Sequence, residues 1–77
     1  MGFKKGQKII WDSRFGYDLG YFIGDTNHNM YGTFGVDLVT GIVGGKLFVY
    51  ESEVIPYNED TIKQMVKKYG TEKQFKN

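Results

Sequence analysis

Cysteine and alanine are absent from this chain of 77 residues, and arginine and proline occur once each. Without cysteine the chain has no disulfide, no thiolate metal ligand and no thiol nucleophile, so its stability depends on packing. No apolar run is long enough for a signal peptide or a membrane span, which predicts a cytoplasmic protein. The lack of alanine beside abundant Lys, Asn, Ile, Tyr and Phe indicates an AT-rich genome, such as that of a phage or a low-GC bacterium.

An excess of charge of one sign is also lacking, since the formal net charge is +1. Residues 1–57 carry five cations against six carboxylates, and residues 58–77 carry five lysines against three carboxylates. Neither part is the polycation that neutralises many phosphates in a typical nucleic-acid-binding domain. The thirteen aromatic residues are instead the main resource of so small a core, because each ring removes roughly 150–250 Å² from water.

Short apolar runs separated by glycine and polar residues fill the chain as far as residue 57. Their alternation predicts strands over residues 6–11, 20–23, 33–38, 47–50 and 54–55. Residues 51–53 suit a short helical turn, the polar segment 25–29 is predicted as a turn, and Gly44-Gly45 as a two-residue hairpin turn. The fold class is therefore predicted as mainly β, a five-stranded bent barrel.

The pattern changes at Asn58, a good N-cap that precedes acidic residues at 59 and 60. Gly70 is suited to end the helix. One apolar stripe with helical spacing lies between them: Ile62, Met65, Val66 and Tyr69. We expect a single domain over 1–77, with a barrel at 6–57, an amphipathic helix at 58–70 packed on it, and a tail at 71–77 that is mobile unless Phe75 anchors it.

Residue parity divides the apolar strand positions into two sets. The predicted inner core comprises Ile9, Trp11, Val36, Leu38, Leu47 and Val49. The opposite parity comprises Ile10, Val39, Phe48 and Tyr50. We expect part of this second set to receive the helix.

Four segments resemble the SH3-like small barrels, particularly their Tudor and KOW-like branch. They are Gly6-Gln-Lys-Ile-Ile-Trp11, Gly20-Tyr-Phe-Ile23, Val36-Asp-Leu38 with Gly41, and Val49-Tyr-Glu-Ser-Glu-Val-Ile-Pro56. The resemblance covers about residues 6–57 and implies a protein that binds nucleic acid, modified or proline-rich peptides, or other protein surfaces. The chain lacks the ALYDY-type opening and paired tryptophans of peptide-binding SH3 domains, so no functional residue is carried over from the family.

Catalytic groups are few. His28 is the only histidine, and its polar surroundings favour a solvated side chain over a general base. Glu51 and Glu53 form a carboxylate pair of the kind that glycosidases use, but their spacing on a short turn favours solvation. The sequence therefore predicts a protein that is not an enzyme.

A cation site is equally weakly supported. Asp25, Asn27 and Asn29 match the first ligand positions of a calcium-binding loop. The match then fails, because Met30 stands where the loop requires glycine and Val36 where it requires a bidentate glutamate. A turn bonded to its own backbone is the better interpretation, and we expect neither a metal nor a cofactor.

Aromatic residues near predicted loops are the best candidates for contact with a partner, since tyrosine offers large area and a polar group. The alternative is that these rings cover the outer barrel face and the helix seam. The sequence favours a non-catalytic protein-interaction module that uses segments 13–21 and 25–31. The predicted partner-binding residues are Arg14, Phe15, Tyr17, Tyr21 and Tyr31.

The helix carries the densest group of lysines, and three of them define an alternative function. In a Tudor or KOW-like protein Lys63, Lys67 and Lys68 would contact phosphate while aromatic rings stack on bases. A solvated helix face is the simpler interpretation, because arginine is scarce. A structural subunit that self-associates is a third class.

Overall fold

Five antiparallel strands and one C-terminal helix occupy the part of the chain that the computed structural model describes. That part is residues 3–30, 33–40 and 45–75, with side chains described at 3–24 and 45–75. The elements are β1 (Lys8–Asp12), β2 (Tyr17–Met30), β3 (Thr33–Thr40), β4 (Gly45–Tyr50), a 3-10 turn at Glu51–Glu53, β5 (Val54–Pro56) and α1 (Glu59–Tyr69). The mainly β class, the 3-10 turn and the single C-terminal helix are as predicted.

The strands form one sheet in the order β4-β3-β2-β1-β5, and each neighbouring pair is antiparallel. In the described ladders the sheet is open, with β4 and β5 at its edges. The chain reversal from β1 to β2 places Ile10 opposite Leu19, and β5 pairs with the other side of β1 by placing Ile55 opposite Ile10. Closure of this sheet into a barrel stays a prediction.

Strand β2 is far longer than the sequence pattern predicted, because it runs from Tyr17 to Met30. The predicted turn at 25–29 is therefore wrong. Asp25 pairs with Val36 and Asn29 pairs with Phe34, so four steps along β2 face two steps along β3. Such an irregularity absorbs extra polar residues as a bulge while the strand continues.

The connection between β3 and β4 also differs from the prediction. Thr40 pairs with Gly45, so Gly45 belongs to β4 and the connection comprises residues 41–44, which lie outside the described residues. The predicted two-residue turn at Gly44-Gly45 is wrong. The register instead places Leu38 opposite Leu47, and thus keeps apolar residues of both strands in line.

An inner cluster lies on one side of the sheet. Its buried members are Ile9, Phe22, Val49 and Val54, and Phe3, Trp11 and Leu47 pack against them. The predicted inner positions Ile9, Trp11, Leu47 and Val49 are therefore confirmed, whereas the side chains of Val36 and Leu38 lie outside the described residues.

An outer cluster lies on the opposite side and receives the helix. Its buried members are Ile10, Tyr17, Leu19 and Met65, and Ile55, Tyr57, Ile62, Tyr69 and Phe75 pack against them. The predicted docking of α1 through Ile10 is confirmed. Of the other expected positions, Phe48 and Tyr50 are half-buried on edge strand β4, and the side chain of Val39 is not among those described.

The helix begins and ends where its sequence predicted. The Asn58 side chain accepts a hydrogen bond from the Thr61 N–H at 2.9 Å, and the Thr61 hydroxyl accepts one from the Asn58 N–H at 2.9 Å. Gly70 has the left-handed conformation (φ 78°), and its N–H donates to the Val66 carbonyl. These caps satisfy backbone groups that an eleven-residue helix leaves unpaired at its ends.

Candidate functional site

The hairpin tip between β1 and β2, residues 13–16, presents the most exposed large apolar side chain among those described. The N–H and the hydroxyl of Ser13 both donate to the Gly16 carbonyl at 2.9 Å, which closes the tip. Phe15 stands at its apex with 99% of its surface exposed. A ring that contributes nothing to the core and is held on a closed turn is a candidate contact residue.

Arg14, which precedes this ring, has a left-handed backbone (φ 73°), a conformation that is uncommon in residues other than glycine. Its N–H donates to Asp12 Oδ1 at 3.0 Å. This hydrogen bond helps to offset the cost of the left-handed conformation. Asp12, at the base of the hairpin, thus helps to set the orientation of the tip. The Arg14 side chain is exposed to solvent beside Phe15.

Asp12 joins this hairpin to the last turn of α1. Its Oδ2 accepts a hydrogen bond from Lys68 Nζ at 2.7 Å, and its Oδ1 accepts one from the Tyr69 hydroxyl. Burial by itself would raise the pKa of Asp12, but the hydrogen bonds from Lys68, Tyr69 and the Arg14 N–H outweigh it and lower that pKa. The charged carboxylate is thus the state that holds helix and hairpin together.

A shallow depression of about 240 Å³ lies beside the tip. It is lined by Phe15, Gly16, Tyr17, Tyr69, Thr71 and Lys73. The rings of Tyr17 and Tyr69 stack beneath it with their centroids 5.8 Å apart. The depression therefore combines apolar ring surface with one ammonium group.

Tyr17 was predicted to contact a partner, but it is a core residue with only 2% of its surface exposed. Its hydroxyl donates to the Thr71 carbonyl and accepts from the Lys73 N–H at 2.9 Å. Burial raises the pKa of this hydroxyl. The expectation of an exposed contact ring is wrong, because β2 begins at Tyr17, three residues earlier than predicted, which places this ring on the same face as Leu19 and beneath the helix.

Two further predicted contact residues lie apart from the tip. Tyr21, four residues along β2 from Tyr17, is 37% exposed and packs against Phe75 with ring centroids 5.1 Å apart. Tyr31 lies outside the described residues. The structure therefore brings Arg14 and Phe15 together and separates Tyr21 from them.

Phe75 anchors the tail, which was predicted to be mobile unless this residue held it. Phe75 packs against Tyr21 and Tyr57, and Lys8 Nζ lies 5.0 Å from the centre of its ring. The sequence analysis did not identify Asp12, Tyr69 or Lys73 as parts of a site. A polar residue at the end of a strand is the only local signal for Asp12, and its partners in α1 are more than fifty residues away.

Comparisons with family models, with curated proteins and with solved structures find no match.

The three helix lysines fall into two groups. Lys63 and Lys67 are exposed, and neither makes an ion pair with a described residue. Lys68 is engaged by Asp12, and this hydrogen bond raises the pKa of its ammonium group. Only the first two are therefore available to a phosphate without breaking a contact within the chain.

Neither a metal cluster nor a membrane helix is found where the structure can be described. No three His, Asp or Glu side chains at 3–24 and 45–75 are close enough to hold an ion, and the side chain of His28 lies outside these ranges. Helix α1 has eleven residues, and no described helix has the length and apolar character that crossing a membrane requires.

Proposed function

We propose that this chain is a non-catalytic interaction module that binds a protein partner through Arg14 and Phe15 at the β1–β2 tip. The observation that carries the proposal is the 99% exposure of Phe15 on a turn closed by hydrogen bonds. Phenylalanine and arginine are both enriched at protein interfaces, and arginine is also enriched among the residues that dominate binding energy there. Tyr21, which lies apart from the tip, and Tyr31 remain separate candidates from the sequence.

The network around Asp12 supports this assignment. Asp12 accepts hydrogen bonds from the Arg14 N–H, from Lys68 Nζ and from the Tyr69 hydroxyl, so contacts with both β1 and α1 hold the tip. A preorganised tip loses little conformational entropy when it binds, which favours affinity. A ring and a guanidinium bind but transfer no protons near neutral pH, so the tip is suited to recognition and not to acid–base chemistry.

An SH3-like barrel of the Tudor or KOW-like kind is the fold that we propose for this module. Two observations support it: the strand order β4-β3-β2-β1-β5 and the 3-10 turn between β4 and β5. Because only the three residues of this turn join β4 at one edge of the sheet to β5 at the other, the two edges lie close together, as a strongly bent sheet requires.

The test is affinity capture from a lysate of the native host, with and without nuclease, using the full chain and two variants. We expect Phe15→Ala and Arg14→Ala each to reduce capture of the same protein at least tenfold, which corresponds to about 1.4 kcal/mol. Both variants should unfold as the parent does, because exposed positions contribute within about 0.5 kcal/mol to stability.

Gln64→Ala is the matched control, since it removes an exposed side chain of α1 far along the chain from the tip. It should capture as the parent does. The proposal fails if Phe15→Ala and Arg14→Ala retain every captured protein, or if capture disappears on nuclease treatment.

Binding of nucleic acid is a second candidate, favoured by one observation. Lys63 and Lys67 are exposed, unpaired within the described residues and four positions apart on one face of α1. Affinity for an oligonucleotide should then fall steeply between 50 and 200 mM salt, and Lys63→Gln with Lys67→Gln should flatten that dependence. An oligonucleotide that leaves the amide signals of α1 unchanged at low salt would exclude this function.

A further inference from the structure

Phe75 in the C-terminal tail lies in a small aromatic site, called here the seat, that is formed by two tyrosines and a lysine. The Phe75 ring meets Tyr57 edge to face, with centroids 5.0 Å apart and an angle of 89° between the rings. On another side it meets Tyr21 at 5.1 Å, and Lys8 Nζ lies 5.0 Å from its centre. Edge-to-face rings and a cation over a ring are both attractive arrangements, so this seat is chemically selective for an aromatic side chain.

A second contact lies two residues earlier in the tail. Lys73 Nζ is 3.7 Å from Asp18 Oδ1, and the Asp18 side chain is only 9% exposed. The same ammonium lies 5.5 Å from the centre of the Tyr17 ring. A carboxylate with so little access to water favours a cation at this position.

The backbone between these contacts belongs to neither a helix nor a strand. Lys73 and Phe75 are half-buried, whereas Glu72 and Gln74 are exposed, which is the alternation of a peptide lying on a surface. One hydroxyl, that of Tyr17, makes hydrogen bonds to this backbone: it donates to the Thr71 carbonyl and accepts from the Lys73 N–H. So few bonds hold the segment that it can leave without disrupting a ladder of the sheet.

We infer that the surface formed by Lys8, Tyr17, Asp18, Tyr21 and Tyr57 is a peptide-binding groove that residues 71–75 occupy in cis. Its ligand in trans is an extended peptide of a protein partner with a lysine or arginine two positions before an aromatic residue. Asp18 selects the cation, the Tyr21–Tyr57 seat selects the ring, and the Tyr17 hydroxyl bonds the backbone between them. This inference stands independently of the function proposed for Phe15, because neither Arg14 nor Phe15 contributes to the groove.

The test uses the full chain labelled with ¹⁵N and, as probe, the acetylated and amidated peptide GTEKQF, which copies residues 70–75. Phe75→Ala empties the seat in the chain. The peptide should shift the amide signals of Tyr17, Tyr21 and Tyr57 in this variant. Its dissociation constant should be at least tenfold lower than for the parent chain, because a groove filled by its own tail for more than nine-tenths of the time binds that much more weakly.

Matched controls distinguish binding of the probe in the groove from non-specific binding. Gln64→Ala removes an exposed side chain of α1 outside the groove, so this variant should bind the probe as weakly as the parent chain does. The probe with Phe75→Ala and the probe with Lys73→Glu should each lose at least tenfold in affinity for the emptied groove, since they lack the ring or reverse the charge that faces Asp18.

Three results would overturn the inference. The first is a folded Phe75→Ala chain that shows no shift with the probe, and the second is equal binding to the parent and to both variants. The third is a Phe75→Ala chain that does not fold, since the tail would then be part of the fold and not an exchangeable ligand.

Hydrogen exchange in the unaltered chain gives a measurement that needs no variant. The Lys73 amide, which among the described residues bonds only to the Tyr17 hydroxyl, should exchange at least a hundredfold faster than the Ile62 and Gly70 amides, which are bonded to carbonyls at the start and end of α1. Equal protection of these amides would mean that tail and helix open together, which contradicts displacement of the tail alone.

Discussion

The two faces of the sheet are built differently. The inner cluster takes its members from the strands and the segment before β1, and its one described side-chain hydrogen bond joins the Trp11 indole N–H to Glu53. The outer cluster is completed by α1 and the tail, and tyrosine hydroxyls at its border bond a carboxylate and the tail backbone. The inner face is thus formed almost entirely by the strands, and the outer face by contacts of the sheet with α1 and the tail.

This difference separates stability from recognition. Apolar packing without polar partners gives cohesion but little directional preference, whereas buried hydroxyls and carboxylates fix one arrangement. The outer face holds the Asp12 network, the depression beside Phe15 and the seat of Phe75. We therefore expect changes to the inner face to act on unfolding alone, and changes to the outer face to act also on the tip and tail.

The largest expected effects are those of Ile9→Ala and Ile10→Ala, neighbours on opposite faces that are both 0% exposed. Each should lower the free energy of unfolding by about 3 kcal/mol, through lost transfer energy and the cavity left behind. Urea titration measures the loss. Amide spectra then separate the faces, because only Ile10→Ala should move the Lys73 and Phe75 signals. Equal movement of these signals in both variants would contradict the separation.

Met65→Ala tests how much helix docking contributes to the outer cluster. Met65 is the buried residue of α1, so its truncation should cost about 2–3 kcal/mol in denaturant unfolding. Gln64→Ala is the matched control on the exposed face of the same helix and should change stability by less than about 0.5 kcal/mol. Similar values for the two variants would show that the helix does not depend on its apolar stripe.

Tyr17→Phe removes only the hydroxyl that holds the tail. The variant leaves the Thr71 carbonyl and the Lys73 N–H without this partner, so we expect a loss of about 1 kcal/mol and faster exchange of the Lys73 amide. Tyr21→Phe is the control, because its ring is partly exposed and meets Phe75 through ring contact. If Tyr17→Phe left the exchange rate unchanged, this hydroxyl would not hold the tail.

Asp12→Asn should have the smallest effect, about 0.5 kcal/mol near pH 7 because its partner Lys68 is half-exposed, and the effect should depend on pH. Because folding lowers the pKa of Asp12, its stabilisation is complete above the unfolded value of about 3.9 and is lost as pH falls through the folded value. The difference between parent and variant should therefore shrink below about pH 4. Glu72→Gln, at an exposed carboxylate, is the comparison, and a gap for Asp12→Asn that stays constant into strong acid would contradict the network.

Sequence signals that lie within a few residues of one another predicted the helix correctly. The Asn58 cap, the Gly70 terminator and the stripe through Met65 lie within one short segment, and the helix runs between these signals as expected. The candidate site was predicted less well. Phe15 is exposed as a tip residue should be, but Tyr17 is buried, because sequence composition cannot distinguish a ring at the start of a strand from one in the preceding loop.

The sequence by itself determined the β-rich class, the capped helix, its apolar face and the absence of thiol chemistry, since these depend on residues a few positions apart or on composition alone. Only the tertiary structure decided the length of β2, the burial of Tyr17, the engagement of Asp12 by Lys68 and the seat of Phe75. The last three depend on contacts that bring α1 and the tail to the β1–β2 hairpin. A side chain is buried or exposed according to which distant segment reaches it, and the balance of packing and chain entropy over the whole fold determines that contact.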